Sequence, residues 1–486
     1  MVALKNSGTV IIIGSGFGGI ATAYKLKAAG IRDFIILERA SSVGGVWRDN
    51  HYPGAACDVQ SHLYSFSFAP NPHWTQEFSP QAEIYQYLQD CVVKLGLLPQ
   101  VRFNHAVTKM SWDQSARLWQ LETTQGHFSA QFVVGAFGVL SDPEIPNIEG
   151  MENFKGERFH SSTWPKGFSL KGKNVAVLGT GASAIQFVPA IQPDVAHMTV
   201  FQRTAPWVMP RHDGQIANKT QRLYRQFPLL EKAERLKLYA EREVMAVGFK
   251  VPTIMKVAQR KAIRHIHSAI QDPELRSKVT PNYVMGCKRI LLSNSYYPAL
   301  AKPNVSVVTA GIQKVTANTV IDDQGRSYPV DVIIYGTGFA VNNLPFSHFT
   351  YGETGRTLAE VWAGSPQSYL GTTVNDFPNL FLLHGPNVGL GHSSVVYMLE
   401  VQADHITTVI QAAQARQAVT VQPSLAAQTE YTAWLDKESK NTVWSAGGCK
   451  SWYLDSTGRN SNVWPSFTFS YRYLASRTKT AGYVFD

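Results

Sequence analysis

Unbroken apolar runs that stop at glycines mark three places along the chain. In TVIIIGSGFGGIATAYKLKAAG, which starts at Thr9, the run is continuous rather than alternating. That suits a parallel strand buried on both faces, turning through glycines into a helix. NVAVLGTGASAIQFVPAI repeats the arrangement from Asn174, and DVIIYGTGFAVN supplies a third strand that ends at glycines. Between Lys219 and Ser277 the chain is rich in Leu, Ala, Lys, Arg and Glu with few breakers, which predicts helices. A further helix is expected near Val395–Ala412, followed by an aromatic- and glycine-rich segment from Trp444 to Tyr473. The duplicated strand–turn–helix unit predicts an α/β protein with two Rossmann-like dinucleotide-binding domains. The first would take residues 1–147 and 341–486, and the second 153–210 and 287–340, interrupted by a helical insertion at 211–286.

Composition narrows this only a little. A chain of 486 residues is too long for one ordinary core, so two to three domains are expected. With 44% hydrophobic and 16% charged residues it is a folding sequence, not a disordered one. Runs such as VIIIG and FLLHG are strand-length, far short of the roughly 18 residues a membrane span needs. The N-terminus runs straight into the first strand, leaving no room for a cleavable signal peptide. The four cysteines, Cys57, Cys91, Cys287 and Cys449, are scattered without a CxxC pair. That argues against a disulfide scaffold, a metal site and dithiol redox chemistry, and fits a reducing cytoplasm.

The net charge of +10 is unevenly placed: Arg211–Arg289 holds 17 Lys and Arg against 7 Asp and Glu, and the rest carries 28 of each sign. Such a segment can attract an anionic cofactor, a membrane surface or nucleic acid, although a solvated set of helices is the commoner outcome. No nucleic-acid motif or interleaved aromatic surface accompanies it.

Gly14-x-Gly16-x-x-Gly19 follows the first strand directly, where glycines let the backbone approach a pyrophosphate at the positive end of a helix. Glu38, at the end of FIILE, is placed to accept hydrogen bonds from a ribose diol. In the second unit Gly179-x-Gly181-x-x-Ala184 has the same setting, but the position equivalent to Glu38 is Arg203 in VFQRT. A carboxylate there would repel a 2′-phosphate, whereas arginine binds one. The first site is therefore expected to take a dinucleotide without that phosphate, and the second to take NADPH. The combination points to FAD plus NADPH, with hydride transfer to a flavin.

Two longer patterns carry a family resemblance. FKGERFHSSTWP, with Phe154, Gly156, His160 and Trp164, fits the fingerprint FxGxxxHxxxW[P/D] of type I Baeyer–Villiger monooxygenases at every fixed position. GGVWRDNHYPGAACD, from Gly44 to Asp58, fits a second pattern of the same family, [A/G]GxWxxxxYPGxxxD. The resemblance implies an FAD- and NADPH-dependent enzyme that converts ketones to esters or lactones with O2 through a C4a-peroxyflavin. GCKRILLSNSYY is similar to the family segment whose arginine stabilises that peroxide, which gives the role to Arg289 with Asp58 as its counter-ion. The adjacent Lys288, with Arg203 and Thr204, would grip the 2′-phosphate, and Trp47 would contact the flavin. CKSWYLDSTGRN resembles the loop that folds over nicotinamide and substrate, with Trp452 the contacting side chain. His160 is implied to be conformational rather than acid–base. The chain departs from many relatives in carrying Ala340, not aspartate, after Gly336-Thr337-Gly338-Phe339. A related monooxygenase acting on sulfides or amines is one rival reading, and a flavoprotein that serves as a redox-sensing module is another.

Overall fold

A computed structural model describes residues 7–449 and 451–486. Two sheets organise it. The first begins with β1 (Ser7–Ile13), β2 (Phe34–Leu37), β3 (Val101–Arg102), β4 (Val107–Asp113), β5 (Leu118–Thr123) and β6 (Gly126–Gly135). The second is built from β7 (Glu157–His160), β8 (Asn174–Leu178), β9 (His197–Phe201), β10 (Val305–Val308) and β11 (Val332–Tyr335). Two short strands, β12 (Thr350–Tyr351) and β13 (Leu380–Leu382), then return to the first sheet.

In the first sheet β2 and β6 flank β1 in parallel, with Ile11 opposite both Ile35 and Val133, and β3 extends the edge beyond β2. On the other side β6, β5 and β4 form an antiparallel meander. The second sheet, in the order β10-β9-β8-β11-β7, is parallel throughout. Both central strands are covered on both faces. Val10, Ile11 and Ile12 in β1, and Ala176 and Val177 in β8, are fully buried, which is why their sequences read as continuous apolar runs.

Each glycine turn feeds a helix, α1 (Phe17–Ala28) after β1 and α2 (Ala184–Ile191) after β8. Between β9 and β10 the chain leaves the second sheet to form α3 (Asn218–Gln226), α4 (Pro228–Lys250), α5 (Pro252–Ala269) and α6 (Pro273–Val279). Prolines at the first positions of α4, α5 and α6 punctuate the run, because a missing N–H costs nothing in a first helical turn. The late helix α7 (Val395–Ala415) packs alongside α1 over the first sheet. No helix among the described residues is long and apolar enough to cross a membrane.

The helical insertion is not only a solvated basic surface. Arg235 turns inward and donates to the carbonyls of His62, Leu63 and Ser65 at 2.8–3.2 Å. Arg242 donates to Gln60, and the buried Glu243 accepts from the backbone and hydroxyl of Thr468 at 2.8 and 2.6 Å. Charged side chains thus dock α4 onto residues 58–65 and onto the C-terminal region. The cysteines also depart from the sequence expectation. Cys287 and Cys449 form a disulfide across 162 residues, and Cys57 and Cys91 remain free and buried. Scattered spacing misled because pairing depends on proximity in the fold, which brings the residue before Lys288 against the aromatic C-terminal segment.

Candidate active site

The first glycine turn cannot be built from other residues. Gly14 has φ +100°, and a Cβ on Gly19 would lie 1.9 Å from the Gly14 carbonyl oxygen, so α1 starts pressed against the strand end. Gly16 caps α1, and a Cβ on it would lie 3.7 Å from Gly45 Cα, so the two glycine loops come together. Glu38 lies under this turn. Its Oε2 accepts from Ser15 N and Oγ at 3.0 and 2.6 Å, and its Oε1 accepts from Ala40 N and Arg48 Nη1, both at 2.9 Å. These four donors fill the carboxylate, so a ribose hydroxyl reaches it by displacing the Ser15 hydroxyl or the Arg48 guanidinium. Trp47 sits in a short helix after Gly45, its indole N–H donating to Tyr64 Oη at 3.1 Å.

At the N-terminus of α7 the hydroxyls of Ser393 and Ser394 are buried without a hydrogen-bond partner among the described residues. A buried hydroxyl left unpaired is costly, and a helix N-terminus favours a partner bearing negative charge. Two glycine loops, a helix N-terminus and two orphaned hydroxyls on a neighbouring helix fit a flavin dinucleotide.

The second turn repeats this geometry. Gly179 has φ +98°, and a Cβ there would lie 2.6 Å from the Gly336 carbonyl oxygen, while Gly181 follows just before α2 opens at Ala184. Arg203 stands exposed beyond the end of β9, and the Thr204 carbonyl accepts from Thr180 Oγ1 at 3.4 Å. Lys288 lies close enough to Arg203 that, with burial the larger cause and that guanidinium the second, its pKa is held below the ordinary lysine value. Its Nζ sits 5.2 Å from the centre of the Tyr283 ring. Two neighbouring cations, neither paired with a carboxylate among the described residues, favour a multiply charged anion and so fit a 2′-phosphate.

Between the two turns, Arg289 and Asp58 meet in a bidentate pair. Nε donates to Oδ2 at 2.7 Å and Nη2 to Oδ1 at 2.8 Å, while Nη1 donates to the Leu390 carbonyl at 3.3 Å. Burial pushes the Asp58 carboxyl up, but the charge and hydrogen bonds of Arg289 and the charge of Arg242 outweigh it and hold the group below the usual carboxylate range. Asp58 in turn raises Arg289 well above the ordinary guanidinium value despite its burial. Arg242 completes the cluster from α4. Its Nε and Nη2 donate to Gln60 Oε1 at 2.8 and 2.6 Å, and Nη2 also reaches the Asp58 carbonyl at 3.4 Å. Buried Tyr453 is near enough for Arg289 to act on its phenol, although burial dominates and pushes that group up to about 12.

The fingerprint lies between these parts. Phe154 is buried, and a Cβ on Gly156 would lie 2.2 Å from the Asp331 carbonyl oxygen. His160 ends β7, bonded through Nδ1 to Ser162 Oγ at 2.8 Å, and burial depresses its pKa to about 4. Trp164 packs edge-on to Phe159 at 5.0 Å and beside Phe187 of α2 at 5.5 Å. Its carbonyl bonds His51 Nε2 at 2.9 Å, tying the fingerprint to the segment that ends at Asp58. That segment is braced again by Gln186 of α2, which accepts from Tyr52 Oη at 2.8 Å and donates to the Ala56 carbonyl at 2.9 Å. Trp452 is at the surface, its carbonyl held by Asn462 at 2.7 Å and its ring 4.3 Å from that of Tyr453.

Sequence reasoning missed Arg242, Gln186 and Tyr453. Nothing local separates Arg242 from the other cations of its stretch. Gln186 had a usable signal, as a lone amide in the apolar helix AIQFVPAI, and Tyr453 follows the singled-out Trp452 directly.

Comparisons with known proteins bear on this arrangement. The family described as pyridine nucleotide-disulphide oxidoreductase matches residues 11–270. The Baeyer–Villiger monooxygenase of Pseudomonas aeruginosa is 48% identical over 477 residues, spanning 98% of this chain and 90% of the relative. The crystal structure of cyclohexanone monooxygenase from Rhodococcus sp. Phi1 bound to NADP+ is similar at TM-score 0.89 and 27% identity, over 99% of this chain and 100% of that one. The OTEMO complex with FAD and NADP is similar at TM-score 0.89 and 25% identity, over the same shares.

Proposed function

The chain belongs to the Baeyer–Villiger monooxygenases, which use FAD, NADPH and O2 to convert ketones to esters or lactones, and from that premise we propose which of its residues carry the reaction. Overall, ketone, O2, NADPH and a proton give ester, NADP+ and water. FAD, when bound, would supply the hydride acceptor for NADPH and the means of activating O2. Gly14, Gly16 and Gly19 would hold the FAD pyrophosphate at the N-terminus of α1, with Glu38 as the acceptor for its ribose and Trp47 as a flavin contact. Gly179 and Gly181 would do the same for NADPH, and Arg203, Thr204 and Lys288 would take its 2′-phosphate.

The observation that carries the oxygenation step is the bidentate Asp58–Arg289 pair. Arginine keeps its charge when desolvated. Held at Nε and Nη2 by Asp58 and at Nη1 by the Leu390 carbonyl, the guanidinium has little freedom to reorient. A fixed cation stabilises negative charge on oxygen without rearranging during the reaction. His160 positions rather than transfers protons, since at pKa about 4 it is neutral at working pH and its Nδ1 is engaged by Ser162. Tyr453, buried and close to the guanidinium, flanks Arg289 on the side of the C-terminal segment.

Turnover with NADPH under 18O2 and a panel of linear, cyclic and aromatic ketones tests the function. Esters carrying one 18O atom support it. Consumption of NADPH with hydrogen peroxide as the sole oxygen product, whatever the ketone, would overturn it.

A further inference from the structure

The Cys287–Cys449 disulfide joins two segments at the points where they enter the candidate site. Cys287 directly precedes Lys288 and stands two residues before Arg289, and Cys449 stands three before Trp452 and four before Tyr453. The seat is close on both sides of the bond. A Cβ on Gly447 would lie 2.8 Å from Cys287 Cβ and 2.9 Å from its Sγ, so the loop backbone is pressed onto Cys287. Around it Trp207, Met285, Phe249, Trp444 and Tyr453 make one buried cluster that joins the second sheet's turn region, α4 and the C-terminal segment. Beyond Tyr453 the segment is tied by hydrogen bonds, from Asn342 to the Leu454 carbonyl at 3.0 Å and from Ser365 to Asp455 at 2.7 Å. On the side of Arg289 the covalent tie is the disulfide.

We propose that Cys287 and Cys449 are positioning residues for the oxygenation, whose disulfide clasps Trp444 and Tyr453 near Arg289 and whose reduction releases them. The proposal rests on the reading of Arg289 given above. Cys287 is fully buried and Cys449 half-buried, so an external dithiol attacks Cys449 Sγ. The Cys287–Cys449 bond breaks, Cys287 leaves and takes a proton, and a mixed disulfide forms at Cys449. The second thiol of the reagent then closes its own disulfide and frees Cys449 as a thiol. Two electrons and two protons pass from the dithiol to the protein. With the clasp open, Tyr453 and its neighbours no longer keep their places beside Arg289, and NADPH oxidation runs on without ester formation. The pair then makes coupling responsive to thiol redox state.

The test compares the holoenzyme as purified under air, after dithiothreitol, and after reoxidation with oxidised glutathione. Alkylation under denaturing conditions with mass spectrometry counts the thiols, with Cys57 and Cys91 labelled throughout and Cys287 and Cys449 labelled only after reduction. Hydrogen exchange is then followed by peptide. Reduction is expected to speed exchange in residues 444–453 severalfold, leave α7 unchanged, and lower ester formed per NADPH severalfold, all reversed on reoxidation. Cys449→Ser should resemble the reduced enzyme and ignore dithiothreitol. Free Cys287 and Cys449 in the air-purified protein, or exchange in 444–453 indifferent to reduction, would overturn the clasp. If exchange responds while neither form makes ester, the clasp stands and the reading of Arg289 fails.

Discussion

Arg289 and Asp58 lie 231 residues apart and meet through two parallel hydrogen bonds of 2.7 and 2.8 Å, with Arg242 of the helical insertion on the same aspartate's backbone and on Gln60. The carboxylate pairs with Arg289 and also feels the charge of Arg242. Asp58→Ala takes away the bidentate partner of Arg289 and the charge that also acts on Arg242. The variant is expected to bind NADPH normally while ester formation falls by about a hundredfold or more. Steady-state kinetics paired with titration of NADP+ binding would show it, and retained ester formation would remove Asp58 from the site.

Arg242 makes a separate prediction through pH. Asp58 has a depressed pKa, so the ionised pair is present above that value and is lost as pH falls through it. Arg242 contributes to the depression, so Arg242→Ala should move the acid limb of the kcat/KM profile to higher pH. An acid limb that stays in place would mean that Arg242 braces the fold without acting on Asp58.

Arg203→Ala should narrow the preference for NADPH over NADH by removing a charge-assisted contact worth about 1.5–3 kcal/mol. NADH kinetics should be little affected, because NADH lacks the 2′-phosphate. An unaltered cofactor ratio would place the phosphate elsewhere.

Much of the frame is legible in the sequence because parallel strands covered on both faces must be apolar where they are buried, as β1 is from Val10 to Ile13 and β8 from Val175 to Leu178. The glycine turns are legible for a steric reason: at Gly14 and Gly19 no side chain fits. The contrast of Glu38 and Arg203 is visible because both stand at a fixed spacing from those turns. Contacts across long stretches of chain leave no such trace. The Asp58–Arg289 pair came from family resemblance, and Arg242 from neither resemblance nor pattern, since its inward aim depends on how α4 docks on residues 58–60. The disulfide was read wrongly for the same reason. Strands as short as β12 and β13 carry too few residues to show a pattern, and they form only because the chain returns to the first sheet, β12 at the β4 edge and β13 beside β6 beyond the end of β5.

Acid should destabilise the protein through its buried histidines. Burial holds His160, His384 and His405 at about 4. Each is neutral when folded, so its contribution is fully present above the unfolded value near 6.5 and is lost as pH falls from about 6.5 to about 4, on the order of 3 kcal/mol apiece at most. Thermal denaturation across that range should show a falling Tm, with a shallower slope in His405→Gln. An equal slope in variant and parent would assign the acid lability to other groups.

The most direct test of the account is Arg289→Ala, followed first by anaerobic flavin reduction with NADPH and then by turnover with O2 and ketone. Reduction at close to the parent rate, continued NADPH consumption with hydrogen peroxide as product, and no ester are expected. Ester formation at an unchanged rate in that variant would contradict the account.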